Sequence, residues 1–183
     1  MLTAIESFQN IVRVLAAHTE DNVISAISAD GKTGVIGFPN FSSGIYKNIG
    51  KVDLYNYVGD AWTKVGELTT DNRPGDLFGY SMAVSADGSV IAIGAPYRNF
   101  HKRASAATGS EGAGYIYKKK GSRMMLLGRI TSPRPTPYEK FGIEVKVSED
   151  GHAVTFFNAR GVETNIDVFG YSYMAKPEAV AIR

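Results

Sequence analysis

The stretch FGYSMAVSADGSVIAIGAPY, from Phe78 to Tyr97, decides the fold of this chain. Two runs of apolar and small residues flank the dipeptide Asp87-Gly88. Glycine readily adopts the positive φ that the tight turn of a β-hairpin needs, so a dipeptide of this kind between two strand-like runs predicts a hairpin.

Weaker copies of this hairpin occur on both sides of it. The tetrad Ser-Ala-Asp-Gly stands at 28–31 and again at 85–88, and Ser-Glu-Asp-Gly stands at 148–151. Each tetrad is followed by a strand-like run and, further on, by a second alternating run. These second runs occupy 51–59, 113–121 and 165–173. The repetition predicts one structural unit used three times.

A fourth strand-like element completes the first two units, at 62–70 and 124–132. The N-terminal segment 8–16 aligns with this element, so that Phe8, Trp62 and Met124 take equivalent places, and Trp62 is predicted to lie in the core. The chain therefore reads as a fourth strand, two complete units, and a third unit that lacks its own fourth strand.

The repeat predicts an all-β, propeller-like fold of three four-stranded antiparallel blades, in which the N-terminal strand closes the last blade. The alternative is a compact three-sheet prism, because propellers usually have about 4–8 blades. Three blades are too few for an ordinary propeller, but several copies could together complete a larger ring. We therefore expect a three-sheet unit that functions as an oligomer. The chain is predicted to be a single repeat domain, 1–183, with blades at approximately 22–70, 78–132 and 141–173 plus 8–16.

The middle unit resembles an FG-GAP repeat of the integrin-α-like β-propeller family. The residues that carry the resemblance are Phe78, Gly79, Gly94, Ala95 and Pro96. The resemblance implies a propeller scaffold used for interaction or adhesion. Calcium-binding members of the family carry an Asp-rich loop between the first two strands. Here that place is the short Ser-Ala-Asp-Gly turn, which cannot surround an ion that needs six or more oxygens, so no metal and no cofactor are expected.

Composition narrows the class of protein. The 183 residues include no cysteine, which excludes disulfides, thiol catalysis and cysteine-ligated metals. The sequence contains no run of about 18 apolar residues, so no membrane-spanning segment is predicted. The N-terminus lacks the basic and apolar segments of a signal peptide, so we expect folding in the cytoplasm. A virus particle released by lysis is one route by which such a protein would act outside a cell.

Basic residues are concentrated in the middle of the chain. Residues 1–97 carry a net charge of −4, residues 98–140 of +8, and residues 141–183 of −2. The long predicted connections emerge at one end of a propeller, where binding usually occurs because variable loops are held there by a rigid scaffold. These connections are 39–50, 69–77, 98–112 and 131–140.

The candidate ligand-binding residues are the basic and aromatic side chains of these connections. They are Arg73, Arg98, Phe100, His101, Lys102, Arg103, Arg134, Tyr138 and Lys140. Guanidinium groups and aromatic rings together suit an anionic or sugar-bearing surface. The alternative is that these charges are solvated or contact a neighbouring subunit.

No catalytic constellation stands out, because the three histidines are far apart and no carboxylate pair is singled out. We therefore expect a non-enzymatic structural or interaction protein: a capsid- or tail-associated virion component that assembles through its β-blade surfaces, with itself or with other structural proteins. The alternative is a carbohydrate- or cell-surface-binding adhesion module acting through 98–112 and 131–140. Nucleic acid is disfavoured, because the net charge is only +2 and no reader motif is present.

Overall fold

A computed structural model gives the structure of residues 3–19, 22–68, 70–71, 73–99 and 109–168, in which the chain forms one helix and eleven strands. Helix α1 covers Ala4–His18. The strands are β1 (Ile24–Ile27), β2 (Thr33–Phe38), β3 (Lys51–Val58), β4 (Ala61–Leu68), β5 (Ser81–Val84), β6 (Val90–Ala95), β7 (Ala113–Lys120), β8 (Arg123–Ile130), β9 (Glu144–Val147), β10 (Ala153–Phe157) and β11 (Glu163–Asp167).

Three antiparallel sheets follow one another along the chain. Sheet 1 has the order β1-β2-β3-β4, sheet 2 the order β5-β6-β7-β8, and sheet 3 the order β9-β10-β11. Each strand pairs with the next within its sheet, so every sheet is a meander. The predicted all-β architecture of three antiparallel sheets is confirmed.

The three predicted hairpin turns share one hydrogen-bonding pattern. In the middle turn the Ser85 hydroxyl donates to the Asp87 carboxylate at 2.7 Å, and the Ser89 amide donates to the same oxygen at 2.9 Å. The same pair of bonds recurs at Asp30 and at Asp150. In each turn the aspartate carboxylate thus stabilises the turn by accepting hydrogen bonds from a neighbouring hydroxyl and a neighbouring amide.

Strand β6 lies at the centre of the molecule, and all six of its residues are buried. Because side chains alternate along a strand, Ile91 and Ile93 pack toward sheet 1 while Val90 and Ala92 pack toward sheet 3. The hairpin turns of neighbouring sheets are also hydrogen-bonded to each other. The Asp30 amide donates to the carbonyl of Ala86 at 3.0 Å, and the Ala86 amide donates to that of Glu149 at 2.9 Å. The sheets therefore form a stack in chain order.

The predicted N-terminal strand 8–16 is wrong, because this segment belongs to helix α1. Thr3 and Glu6 form a capping box, in which each side chain accepts a hydrogen bond from the other residue's backbone amide. The helix lies on the outer face of sheet 1. There the Phe8 ring packs 4.6 Å from that of Trp62, whose indole nitrogen donates to the carbonyl of Ala4 at 2.8 Å.

The expected fourth strand of sheet 3 is consequently not supplied by the N-terminus, and sheet 3 has three strands among the described residues. Residues 169–173, the end of the predicted third blade, lie outside the described residues. Helix α1 has 15 residues, and within the described ranges no helix is long and apolar enough to cross a bilayer.

The outer face of sheet 3 is polar. Thr155 donates to Asn165 at 2.6 Å, and Lys146 lies 3.2 Å from the carboxylate of Glu144 and 4.7 Å from the ring centre of Phe157. The corresponding faces of sheets 1 and 2, which meet the next sheet, carry apolar residues such as Val35 and Ala92. The stack therefore ends in a helix on one side and a polar face on the other, as the terminal units of repeat proteins commonly do.

Candidate functional site

The long connections gather at one end of the stack, which we call the loop end. It comprises the connections from β2 to β3, β4 to β5, β6 to β7, β8 to β9 and β10 to β11. Neighbouring connections are joined by backbone hydrogen bonds: the Leu77 amide donates to the carbonyl of Asn48 at 3.1 Å, and the Lys140 amide donates to that of Ser110 at 2.8 Å. Hydrogen bonds therefore connect the loops of the loop end to one another.

The Phe-Gly and Gly-Ala-Pro residues anchor this end to the core. Phe78 is fully buried, and its ring meets that of Tyr115 edge to face at 5.3 Å. Gly79 has a φ of 89°, which favours glycine, and a Cβ there would lie 2.8 Å from a valine of β3. A Cβ on Gly94 would meet the carbonyl oxygen of Gly142. The motif therefore lets adjacent loops and sheets approach closely.

A buried ion-pair network lies beneath the loop end where sheets 1 and 2 meet. The Arg98 guanidinium has no exposed area and donates to the carboxylates of Asp76 and Asp71, each at 2.7 Å. Burial raises the pKa of Asp76 to about 6, although the Arg98 cation and the amide of Arg73 act to lower it. Arg98 is a predicted ligand-binding residue, and the structure places its buried guanidinium inside the protein, where it joins two connections.

Glu139 takes the place of Asp76 where sheets 2 and 3 meet. One residue separates each acid from the Phe-Gly pair that follows it. The Thr136 amide donates to Glu139 at 2.9 Å, as the Arg73 amide does to Asp76. The side-chain donor differs. The Asn158 amide donates to Glu139 at 2.9 Å where Asp76 has a guanidinium.

A cleft of about 310 Å³ opens beside Glu139. Three polar side chains of its lining are more than nine-tenths buried: Ser132 is 8% exposed, Glu139 5% and Asn158 7%. Two exposed arginines, Arg134 and Arg160, also line it. Such a concentration of fixed polar groups around an open volume makes this cleft the principal candidate site.

An apolar knob stands elsewhere on the loop end. Ser43 and Tyr46 exchange two backbone hydrogen bonds of 3.0 Å, which close a tight turn in the β2–β3 connection. Ile45 at its tip is 85% exposed, and Tyr46 is 54% exposed. The tip of this turn therefore presents two neighbouring apolar side chains to solvent.

The other predicted site residues have different surroundings. Arg73 is half exposed and lies 4.0 Å from Asp71, while Arg134 lines the cleft. Tyr138 is 54% exposed. Lys140 is half-buried, and its ammonium lies 5.0 Å from the ring centre of Tyr97. The remaining candidates lie outside the described residues: Phe100, His101, Lys102 and Arg103.

The sequence did not single out the two buried acids, Asp76 and Glu139, or the cleft residues that come from the β10–β11 connection. Asp76 reads as part of a Pro-Gly turn, although Glu139 stands in the same relation to a Phe-Gly pair and could have marked both. Asn158 and Arg160 belong to the weakest copy of the repeat, where nothing local distinguishes them. In the part of the chain that the structure describes, no three acidic or histidine side chains group closely enough to hold a metal ion.

Comparison with known families identifies the repeat. Residues 62–117 match the FG-GAP repeat family, and this match runs from β4 through β5 and β6 to β7. No curated protein matches the chain. The match covers 56 of the 183 residues, and the three antiparallel sheets are compatible with propeller-like blades.

Proposed function

We propose that this protein is a non-enzymatic adhesion module that recognises a carbohydrate or a cell surface with its loop end. The observation that supports this most strongly is the distribution of exposed side chains. Of the six large apolar side chains that are more than half exposed among the described residues, four lie at the loop end, namely Ile45, Tyr46, Tyr138 and Val162; the other two are Val14 and Val58. Exposed apolar and aromatic groups among basic residues are typical of recognition surfaces.

The sheet faces give less support to a contact. Helix α1 covers the outer face of sheet 1 through Phe8 and Trp62. The outer face of sheet 3 carries Lys146, Thr155 and Asn165, which are bonded within that face or paired with neighbours on it. Burying such groups in a blade-to-blade contact would cost their hydration. Assembly into a larger ring through these faces is therefore disfavoured.

The proposal is tested on a glycan array and on immobilised cells, with Tyr138→Ala and Ile45→Ser as loop-end variants. Each should weaken retention, because exposed anchor residues contribute about 1–2 kcal/mol or more to a contact. Val65→Ser is the matched control, since Val65 is 49% exposed on β4, away from the loop end. Retention that is lost equally in the control, or in none of the variants, would contradict the proposal.

A structural component of a virus particle is the second candidate. The knob at Ile45 favours it, because an apolar side chain that is 85% exposed suits a lasting contact with another subunit. Sedimentation of particles from producing cells tests this function. We expect the wild-type protein to sediment with the particles and the Ile45→Ser variant to be absent from that fraction. A particle fraction that lacks the wild-type protein would exclude this candidate.

A further inference from the structure

We infer that the cleft beside Glu139 is a binding site for an acidic saccharide. The inference rests on the proposed function, since it gives that recognition a site and a ligand class. It depends on three features of the described residues: the space left at this junction of sheets, the buried polar groups that surround it, and the charge at its rim.

The two junctions differ in the side chain that binds the buried acid. Between sheets 1 and 2 the long side chain of Arg98 extends to Asp76 and is fully buried. Between sheets 2 and 3 the shorter Asn158 takes this role, and it is held in place because its side-chain oxygen accepts from the amides of Arg160 and Val162 at 2.9 and 3.0 Å. An opening of about 310 Å³ remains, which is the size of a small ligand site.

The inner surface suits the hydroxyl groups of a sugar. Each oxygen of Glu139 accepts one hydrogen bond, from Thr136 or Asn158. A carboxylate has about four acceptor positions, so Glu139 retains capacity for sugar hydroxyls. Ser132, Thr136 and Thr164 add hydroxyls that both donate and accept. Because Ser132, Glu139 and Asn158 are already fixed by burial, little side-chain freedom is lost when they bind.

The rim favours a ligand that carries an acidic group. Arg134 and Arg160 are exposed at the cleft, and neither forms an ion pair with any residue that the structure describes. Guanidinium groups bind carboxylates through paired hydrogen bonds. Glu163 also lines the cleft and repels dense negative charge. A sugar with one carboxylate and several hydroxyls therefore fits better than a polyanion.

The experiment compares sialyllactose with lactose, which differ by one acidic sugar, and includes inorganic sulfate as a simple anion. Binding is followed by calorimetry and by the amide NMR signal of Gly161, which lies between cleft residues Arg160 and Val162. We expect saturable binding of sialyllactose, a shift of the Gly161 signal, and binding of lactose that is weaker by about tenfold or more, since one charged contact accounts for about that factor.

Arg134→Gln and Arg160→Gln should each weaken sialyllactose binding by about fivefold or more, because each removes a charged donor while leaving an exposed side chain of similar length. Arg123→Gln is the matched control, an exposed arginine at the opposite end of sheet 2, and should leave the affinity unchanged. Thermal unfolding of all three variants should match that of the wild type, which separates a lost contact from a lost fold.

Three results would overturn the inference. Equal binding of sialyllactose and lactose excludes an acidic ligand. Binding that Arg134→Gln and Arg160→Gln leave unchanged places the saccharide elsewhere. Sulfate that shifts Gly161 and displaces sialyllactose at equal affinity indicates an adventitious ion only. If the cleft does not bind the saccharide while Tyr138→Ala and Ile45→Ser still weaken adhesion, the proposed function survives without this site. If the cleft binds the saccharide while those two variants adhere normally, the site stands and the role of the exposed loop residues is overturned.

Discussion

Single residues determine the turns that start each sheet. In the middle turn Ser85 and Asp87 bond to each other and to the amides of Val90 and Ser89. The backbone bond from Ser89, followed by the hydroxyl bond from Ser85, lowers the pKa of Asp87. The aspartate is therefore a structural acceptor, and Gly88 provides the φ of 69° that completes the turn.

Asp87→Ala should destabilise the protein by about 1 kcal/mol, the usual net contribution of a hydrogen bond. Because the folded pKa of Asp87 is lowered, its contribution is present above the pKa of the unfolded chain and is lost as pH falls through the folded value. Denaturant unfolding should thus show a wild-type advantage at neutral pH that shrinks below about pH 4. An advantage that grows on acidification would contradict this role.

The buried pair of Arg98 and Asp76 makes a second prediction at this scale. Asp76→Ala should lower the free energy of unfolding by about 3–5 kcal/mol, because it leaves a buried guanidinium without its main partner. Asp71→Ala is the comparison: the Asp71 side chain is 55% exposed, so water can replace it beside Arg98 and its loss should cost less than that of Asp76. Equal losses in chemical denaturation would show that burial does not govern this network.

At the scale of elements, helix α1 is the part of the fold that a repeat-based alignment misassigns. Phe8, Ile11, Val12 and Leu15 recur at helical spacing and pack together on sheet 1. The capping box at Thr3 and Glu6 marks the helix start. Both signals are local and were readable; the alignment with Trp62 misleads because an apolar residue suits either element.

Phe8→Ala should destabilise the protein by about 3–5 kcal/mol, the usual cost of truncating a buried aromatic ring. The ring contacts those of Tyr55 and Trp62 and fills the space above Gly34. Val14→Ala provides the control on the same helix, since Val14 is 57% exposed. Thermal denaturation should separate the two variants clearly; similar melting temperatures would mean that α1 contributes little to the stability of sheet 1.

At the scale of the whole molecule, the two ends of the stack are finished by different means. Helix α1 covers one end through Phe8 and Trp62. Paired polar side chains face outward at the other, including Lys146 and Thr155. Both arrangements remove the apolar surface that a further sheet would need. Among the described surfaces, the loop end is the one that combines a cleft with exposed aromatic and basic side chains.

Replacing Lys146 and Thr155 together by valine should create a new self-association, because it turns the outer face of sheet 3 into an apolar surface like those between the sheets. Light scattering over a range of concentrations would detect it. The control replaces the exposed Lys32 and Thr63 of the sheet 1 region by valine. Association of the wild type through the outer face of sheet 3, detected by cross-linking at Lys146, would contradict the role assigned to this face.

The hairpins, the number of sheets and the resemblance of the middle unit to an FG-GAP repeat could be predicted from the sequence, because Asp-Gly turns and strand alternation act between near neighbours and recur along the chain. Only the tertiary structure decided what the loop residues do. Arg98 reads as a surface cation, yet it is buried because Asp71 and Asp76, more than twenty residues away in the chain, are brought to it by the stacking of two sheets. The cleft has the same origin: Arg134 and Arg160 come to one rim only because sheets 2 and 3 meet, and no local pattern encodes that meeting.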